Sequence, residues 1–306
     1  MKRLCVVLSL LLTVTGCFSS KSLEKSAVEL CRHIPDTDNL KESQNYLAED
    51  YYSSLQEMLA LDDFTPVLHQ WEFWFTAADG SAVSKNECIV KEIVPIDDTH
   101  AKAVVLVQPS DSDYKAEEHT LMMERTDGKW LLADYDDTRA ATLRYIDNYR
   151  KEKEVIDVIS EYLVKEIGAN YLQGDICIPV IMTVASEEDD PSHARIWGDF
   201  WVDWYTQSAD TLKTVSGGNH SGCISLEKND GKLTVTGFEQ TADGADNLPS
   251  AKRIFGTHYD VFHNIHSNQD VRDACRKLAV QNYCKKNGIS ARYYQDYGWP
   301  AIDMSQ

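Results

Sequence analysis

The stretch Glu124-Arg125-Thr126-Asp127-Gly128-Lys129-Trp130 decides the fold of the first half of the chain. Its centre, Thr126–Lys129, predicts a tight β-hairpin, because an Asp-Gly pair readily adopts the positive φ angles of a two-residue turn. Runs rich in Val, Ile and Leu flank the turn and predict strands. They are Cys88–Pro95, Ala101–Gln108, Glu118–Arg125 and Trp130–Asp134. The pattern therefore predicts an antiparallel sheet.

Helical periodicity occurs on both sides of this sheet. In Leu40–Leu61, six apolar residues fall on one face of a helix: Leu40, Leu47, Tyr51, Leu55, Met58 and Leu59. After the sheet, Asp137 or Thr138 caps a helix that is predicted to run to about Tyr149. The charged run Arg150–Glu154 is then a predicted domain boundary. Helices before and after an antiparallel sheet indicate the α+β class.

The second half repeats the order of a helix followed by strands. Strands are predicted at Ile176–Ala185, Arg195–Tyr205, Cys223–Lys228 and Lys232–Gln240. A second hairpin signal, Glu227–Leu233, matches Glu124–Trp130 at an offset of 103 residues, about one domain length. This echo indicates either a duplication or two unrelated Asp-Gly hairpins, which are common.

Residues 40–149 resemble the NTF2-like superfamily. The residues that carry the resemblance are the helix Leu40–Leu61 and the hairpin Asp127–Trp130, which leads into Ala133-Asp134-Tyr135. The resemblance implies an α+β fold, an NTF2-like (cystatin-like) cone in which a curved antiparallel sheet packs on helices around a pocket. We expect such a domain over residues 38–150. A second, divergent α+β domain, also NTF2-like or of another kind, is expected over residues 151–306.

The amino-terminal segment indicates export. Lys2 and Arg3 precede the apolar run Leu4–Val14, and Val14-Thr15-Gly16-Cys17 resembles the lipobox of bacterial lipoproteins. The resemblance implies a signal peptide over residues 1–16 and acyl chains on Cys17. Residues 17–37 would then form a lipidated tether and a first helix. The apolar run falls short of the roughly 20 residues that a membrane span needs, whereas an ordinary secretory signal remains an alternative.

Lipidation would place the protein at a cell membrane, outside the cytosol. Phe18 follows Cys17 where Asp would favour the inner membrane, so family analogy favours the outer membrane, with a periplasmic or surface location. The formal net charge of −19 becomes −21 without residues 1–16, which carry two basic side chains and no acidic one. Such charge repels phosphate backbones and argues against nucleic-acid binding.

Six cysteines remain after the lipobox: Cys31, Cys88, Cys177, Cys223, Cys275 and Cys284. An exported protein can form disulfides, but six cysteines allow 15 pairings. Cys275 and Cys284 fall on one predicted helix, about 13 Å apart, which is too far for a bridge. No C-x-x-C motif occurs, so no metal site is predicted.

The run Trp197–Tyr205 is the candidate ligand-binding stretch. As a strand it places five side chains on one face: Trp197, Asp199, Trp201, Asp203 and Tyr205. Aromatic rings beside acids could stack a sugar or another flat ligand. The alternative is an amphipathic strand with solvated acids, which is usual in antiparallel sheets. Asp199 and Asp203 lie about 13 Å apart along a strand, which suits a glycosidase pair poorly.

Two other stretches have structural explanations. His263 and His266 could share a helix face as metal ligands, but no carboxylate completes a set, so surface or capping roles are favoured. Ser216–Gly222 (S-G-G-N-H-S-G) lacks a phosphate-loop pattern and is expected to be a loop between strands.

We therefore expect a non-catalytic, membrane-anchored binding or interaction module for a small ligand, a glycan or an envelope protein. No catalytic residue and no cofactor is predicted. The alternative, implied by the NTF2-like resemblance, is an isomerase, dehydratase or hydrolase that uses an Asp, His or Tyr in the cone.

Overall fold

The computed structural model describes residues 20–33, 40–61, 87–108, 115–190 and 193–305. The signal peptide predicted for residues 1–16 and its lipid-bearing Cys17 lie outside these ranges. The chain divides into two compact units, one up to Tyr149 and one from Arg150. Both contain helices and antiparallel sheet, so the α+β class is confirmed.

In the first unit, helices precede a four-stranded sheet of order β1-β2-β3-β4. The helices are α1 (Ser20–Cys31), α2 (Leu40–Ser43), a 3-10 turn (Gln44–Tyr46) and α3 (Glu49–Ala60). The strands are β1 (Glu87–Pro95), β2 (His100–Gln108), β3 (Glu117–Thr126) and β4 (Lys129–Tyr135). β2 buries alternate side chains, Ala101, Ala103, Val105 and Val107, against the helices. The predicted hairpin is confirmed, with φ of 52° at Asp127 and 82° at Gly128.

The single helix predicted over Leu40–Leu61 is wrong, because the chain leaves helical geometry at Leu47 and Ala48. Leu47 forms a parallel bridge with Leu132 of β4. The Ala48 amide donates to the Leu132 carbonyl at 2.8 Å. A backbone pairing to the sheet edge therefore interrupts an otherwise continuous apolar stripe.

The helix after β4 is longer than predicted. α4 runs from Thr138 to Tyr162, through the charged run expected to be a boundary, and continues as a π-helical turn, Leu163–Ile167, and a 3-10 turn, Gly168–Asn170. Lys153 and Asp157, four residues apart, pair at 2.6 Å, and such pairs support a helix. A run of charges with good helix propensity therefore does not interrupt the helix.

The second unit contains a larger sheet of order β10-β9-β7-β6-β5, and β8 also pairs with β7. The long strands are β5 (Ile176–Asp190), β6 (His193–Ser208), β7 (Thr211–Asn229) and β8 (Lys232–Gln240). Three helices follow: α5 (Asn247–Phe255), α6 (Tyr259–Ser267) and α7 (Gln269–Asn287). Short 3-10 turns at Gly244–Asp246 and Gly256–His258 lie before α5 and α6. The short strands β9 (Tyr293–Gln295) and β10 (Ile302–Asp303) complete the unit.

The prediction that Ser216–Gly222 is a loop is wrong, because these residues form the middle of β7. A Cβ atom on Gly217 would lie 2.4 Å from the Val202 carbonyl oxygen and 2.2 Å from a carboxylate oxygen of Asp203. One on Gly218 would lie 2.2 Å from the hydroxyl of Tyr171. The glycines thus leave room for neighbouring groups, a recognised use of glycine within strands.

Candidate functional site

β6 is covered on both faces. Trp197 packs among Ala251, Ile254, Phe255 and Phe262 of α5 and α6, and its indole N–H donates to the Ile254 carbonyl at 2.8 Å. Phe200 and Val202, which point to the opposite face, pack in a separate apolar cluster. The face of β6 that the sequence predicts to bind a ligand therefore lies beneath helices of the same unit.

The two acids of this face are buried. The exposed fraction is 0% for Asp199 and 3% for Asp203. Tyr205 is buried as well, and Trp201 is half-buried. The alternative of solvated acids is therefore wrong for Asp199 and Asp203, and each carboxylate needs partners inside the protein.

Asp199 accepts three side-chain hydrogen bonds. The donors are Asn219 and Ser221 of β7, the latter at 2.6 Å, and His266 of α6 at 3.2 Å. Burial by itself raises the pKa of the Asp199 carboxyl, but the three hydrogen bonds outweigh it and the net pKa is lowered. Asp199 is thus an ionised acceptor at neutral pH.

These residues do not form a Ser-His-Asp triad. Ser221 donates its proton to Asp199 and not to a histidine, so no base activates the hydroxyl. His266 also donates its Nδ1 proton to Asp199, because an ionised carboxylate only accepts. Nε2 is then the ring nitrogen that does not contact Asp199, and the His266 side chain is 37% exposed. Such a pair could move a proton to or from a ligand at the surface.

A second polar cluster surrounds Arg276 of α7. Its guanidinium pairs with Asp296 through two nitrogens, one of them at 2.8 Å. Its Nε donates to the Tyr205 hydroxyl at 3.2 Å, and Nη2 lies 3.1 Å from Asp203 Oδ2. The contact with Asp203 is not aligned as a hydrogen bond, so Asp296 is the principal partner of Arg276.

Arg276 therefore balances the negative charge of the Asp203 carboxylate only in part. Burial raises the pKa of its carboxyl to about 6, Arg276 opposes that rise, and the charge of Asp296 adds to it. Thr214 of β7 donates to Asp296 and connects this carboxylate to the sheet. The cluster holds the segment after β9 against β7.

β7 has an unpaired edge next to this cluster. On the side away from β6, β9 pairs with residues 211–213 and β8 with residues 222–229. Between them, among the described residues, no strand pairs with Thr214–His220 on that side. Ser221 is buried, and its carbonyl accepts a hydrogen bond from the Thr241 amide at 2.9 Å. An unpaired strand edge presents backbone donors and acceptors to any extended chain that approaches.

Exposed aromatic rings lie at one end of this edge. Residues Asp296–Trp299 form a tight turn in which the Trp299 amide donates to the Asp296 carbonyl at 2.6 Å. The φ angles of 36° at Tyr297 and 86° at Gly298 resemble those of a type I′ turn. Tyr297 and Trp299 are 65% and 72% exposed. A backbone conformation unusual for tyrosine therefore presents two rings to solvent.

The five predicted ligand-binding residues thus share one face of β6, as predicted, but their partners were not anticipated. Arg276 and Asp296 carry no local sequence signal, because they lie 73 and 93 positions from Asp203. The sequence favours surface or capping roles for His263 and His266 over metal binding, and it gives no sign that His266 contacts Asp199. The ring of His263 stacks on Tyr259 at 5.9 Å. The described residues contain no group of three or more His, Cys, Asp or Glu suited to a metal ion.

The fold and the site together define an α+β protein with a buried acid network beneath one sheet. No family model matches the chain, and no curated protein matches it. One solved structure, described as an "Ntf2 like protein involved in plasmid conjugation", is 10% identical and covers 73% of this chain and 98% of its own length. The TM-score between the two structures is 0.22. None of the described helices combines the length and apolar character required to cross a membrane.

Proposed function

We propose that this protein is an exported lipoprotein whose folded part is a non-catalytic interaction module. Its partner would be another protein of the cell envelope, which adds an extended segment to the free edge of β7. The observation that carries this proposal is the unpaired stretch Thr214–His220 beside the exposed Tyr297 and Trp299. Small ligands and glycans are the other occupants that the sequence suggests.

The chemistry of the edge supports a peptide partner. Extended peptides gain affinity by completing the hydrogen bonds of an open strand, and neighbouring side chains supply specificity. Tyr and Trp are enriched among the residues that dominate protein interfaces. Leu172, also exposed, is held nearby because its carbonyl accepts a hydrogen bond from Ser216 of β7 at 2.6 Å. Backbone donors and apolar side chains thus occur together.

The charge of the chain restricts the partner. A formal net charge of −19 favours a neutral or basic peptide over an acidic one. It also disfavours nucleic acids, whose binding depends on neutralising phosphates.

The finer fold assignment is part of the proposal. We propose that residues 38–150 form an NTF2-like cone and that residues 151–306 form a second, divergent one. The support is that each unit places helices against a curled antiparallel sheet and turns an Asp-Gly hairpin between adjacent strands.

Photo-crosslinking in cells tests the interaction. A benzophenone amino acid in place of Tyr297 should give a discrete crosslinked protein of fixed mass. The matched control replaces Val261, an apolar residue of α6 that is 48% exposed, and should give no such product. Equal labelling from both positions, or none from Tyr297, would count against the proposed edge.

Radiolabelled palmitate tests the anchor. Incorporation into the wild-type chain and its loss in Cys17→Ser would support lipidation. An unlabelled protein that still begins at Met1 would contradict it.

A second candidate function is catalysis, favoured by the pairing of His266 with Asp199. A buried carboxylate that orients a half-exposed imidazole is an arrangement used for general base catalysis. If it operates, His266→Ala should slow hydrolysis of p-nitrophenyl acetate at least about tenfold, whereas His263→Ala should not. Equal rates in the two variants would argue against an enzyme.

A further inference from the structure

Two cysteines of the first unit lie in one hydrophobic core. Cys31 is the last residue of α1 and is buried, and Cys88 is the second residue of β1 and is half-buried. α1 packs on β1, with Leu23, Ala27, Leu30 and Cys31 on its buried face. Cys31 belongs to the buried core of this unit and Cys88 packs against it, and each thiol shifts the pKa of the other. The fold has therefore brought together two sulfurs that are far apart in the sequence.

The other cysteines do not share this arrangement. Cys177, Cys223 and Cys284 are buried in three separate clusters of the second unit. Cys275 and Cys284 lie on α7, which is unbroken from Gln269 to Asn287. Their separation of nine residues, about 13 Å along a helix, exceeds the reach of a disulfide. The prediction that these two do not pair is consistent with the continuous helix.

We propose that Cys31 and Cys88 form a disulfide bond in the exported protein. The bridge would join the end of α1 to the first strand of the sheet. This inference is independent of the interaction edge on β7, although it assumes an oxidising compartment.

The electrostatics of the pair favour one order of events. The hydrogen bond from Cys31, with help from the charge of Arg32, lowers the pKa of Cys88. The same hydrogen bond, together with burial, raises the pKa of Cys31. Because the thiolate is the attacking species and Cys88 is the more exposed of the two thiols, Cys88 would react first.

The oxidant would be the disulfide of a thiol oxidoreductase. The Cys88 thiolate attacks one sulfur of that disulfide, which breaks its S–S bond and forms a mixed disulfide. Cys31 then loses its proton and attacks the Cys88 sulfur, which forms the Cys31–Cys88 bond and releases the oxidoreductase. Two electrons reduce the oxidant, and the two protons of the cysteines end on its dithiol.

Peptide mapping of the full chain tests the bridge. The protein is taken from membranes, free thiols are blocked with N-ethylmaleimide under denaturing conditions, and the digest is analysed without reduction. The expected result is one peptide pair joined through Cys31 and Cys88, with the four cysteines of the second unit blocked. Blocked Cys31 and Cys88, or a bridge from either to another cysteine, would overturn the proposal.

A second measurement does not depend on export. Purified, fully reduced protein is exposed to oxidised glutathione and mapped in the same way. The proposal requires that the wild-type protein form the Cys31–Cys88 bridge and keep no glutathione on Cys88. In the Cys31→Ser variant, which cannot form the bridge, glutathione should remain on Cys88. Cys275→Ser is the matched control and should form the bridge as the wild type does. Stable glutathione adducts on both cysteines of the wild type would overturn the pairing.

Discussion

Among the described residues, each unit contains a histidine–aspartate pair in which one partner is buried, and the two pairs are built in opposite ways. In the first unit, His119 is buried (5% exposed) and its Nδ1 lies 2.7 Å from Asp136, which is 36% exposed. In the second unit, Asp199 is buried (0%) and His266 is 37% exposed. Only the second pair combines a buried, ionised acid with an imidazole at the surface.

The difference follows from how each sheet is covered. β2 of the first sheet has one apolar face and one open face, so its polar groups can reach water. β6 of the second sheet is covered on both faces, so Asp199 and Asp203 must find partners within the protein. We therefore expect internal charges to contribute most to the stability of the second unit. The stability of the first unit should come mainly from apolar contacts.

The largest expected effect is at Arg276. Arg276→Met leaves Asp203 and Asp296 without their cation and should lower the free energy of unfolding by about 3–5 kcal/mol, as removal of one member of a buried ion pair does. The control in the first unit is Arg139→Met, whose partner Asp50 is 82% exposed. That change should cost less than about 1 kcal/mol. Urea unfolding measures both, and equal losses would remove the distinction between the units.

The next effect concerns pH. The folded pKa of Asp203 is about 6, above its ordinary value of 3.8, so the folded state binds this proton more tightly than the unfolded state. The stabilisation from this proton is complete below pH 4 and is lost as the pH rises through 6. The free energy of unfolding should fall by roughly 3 kcal/mol over this range. Asp203→Asn cannot ionise and should remove that component from the stability curve between pH 4 and pH 8. Superimposable curves for wild type and variant would contradict a titrating Asp203.

A smaller effect is expected in β7. Gly217→Ala places a methyl group against the Val202 backbone. This change should lower the free energy of unfolding by about 2 kcal/mol. Gly218→Ala meets only the end of the Tyr171 side chain, which can rotate away, and should cost less than about 1 kcal/mol. Thermal unfolding of the two variants compares them directly. A larger loss at Gly218 would show that the Tyr171 contact, and not the backbone, limits the space.

The smallest effect should be the same in both units. Gly128 and Gly231 occupy equivalent hairpin positions, with φ of 82° and 79° and open space around each. Alanine at either position should cost about 1 kcal/mol, because the strain comes from the backbone angle alone. Unequal losses in urea unfolding would mean that the surroundings of the two hairpins differ in energy.

The sequence predicted the first sheet well because its signals are local. Its four strands fall within one residue of their predicted limits, and the Asp127-Gly128 turn follows from backbone preference alone. The helix Leu40–Leu61 was predicted as continuous because nothing local reveals that Leu47 pairs with Leu132, 85 positions away.

The candidate site could be predicted only in part. Alternation placed Asp199 and Asp203 on one face, but burial depends on helices that lie elsewhere in the chain. His266 is 67 positions from Asp199, and no pattern links them. Ser216–Gly222 resembled a loop because Gly and Ser usually mark turns, whereas here the glycines accommodate Asp203 and Tyr171.

Gly217 also bears on how β6 and β7, strands of 16 and 19 residues, find their alignment. Long antiparallel strands can slide by two residues and keep the same faces inward. Such a slide would bring the side chain of Val215 or Asn219 opposite Asp203, where only hydrogen fits. Only the pairing that places Gly217 opposite Asp203 avoids this clash. The glycine would thus disfavour shifted pairings of β6 and β7 during folding and select a single alignment.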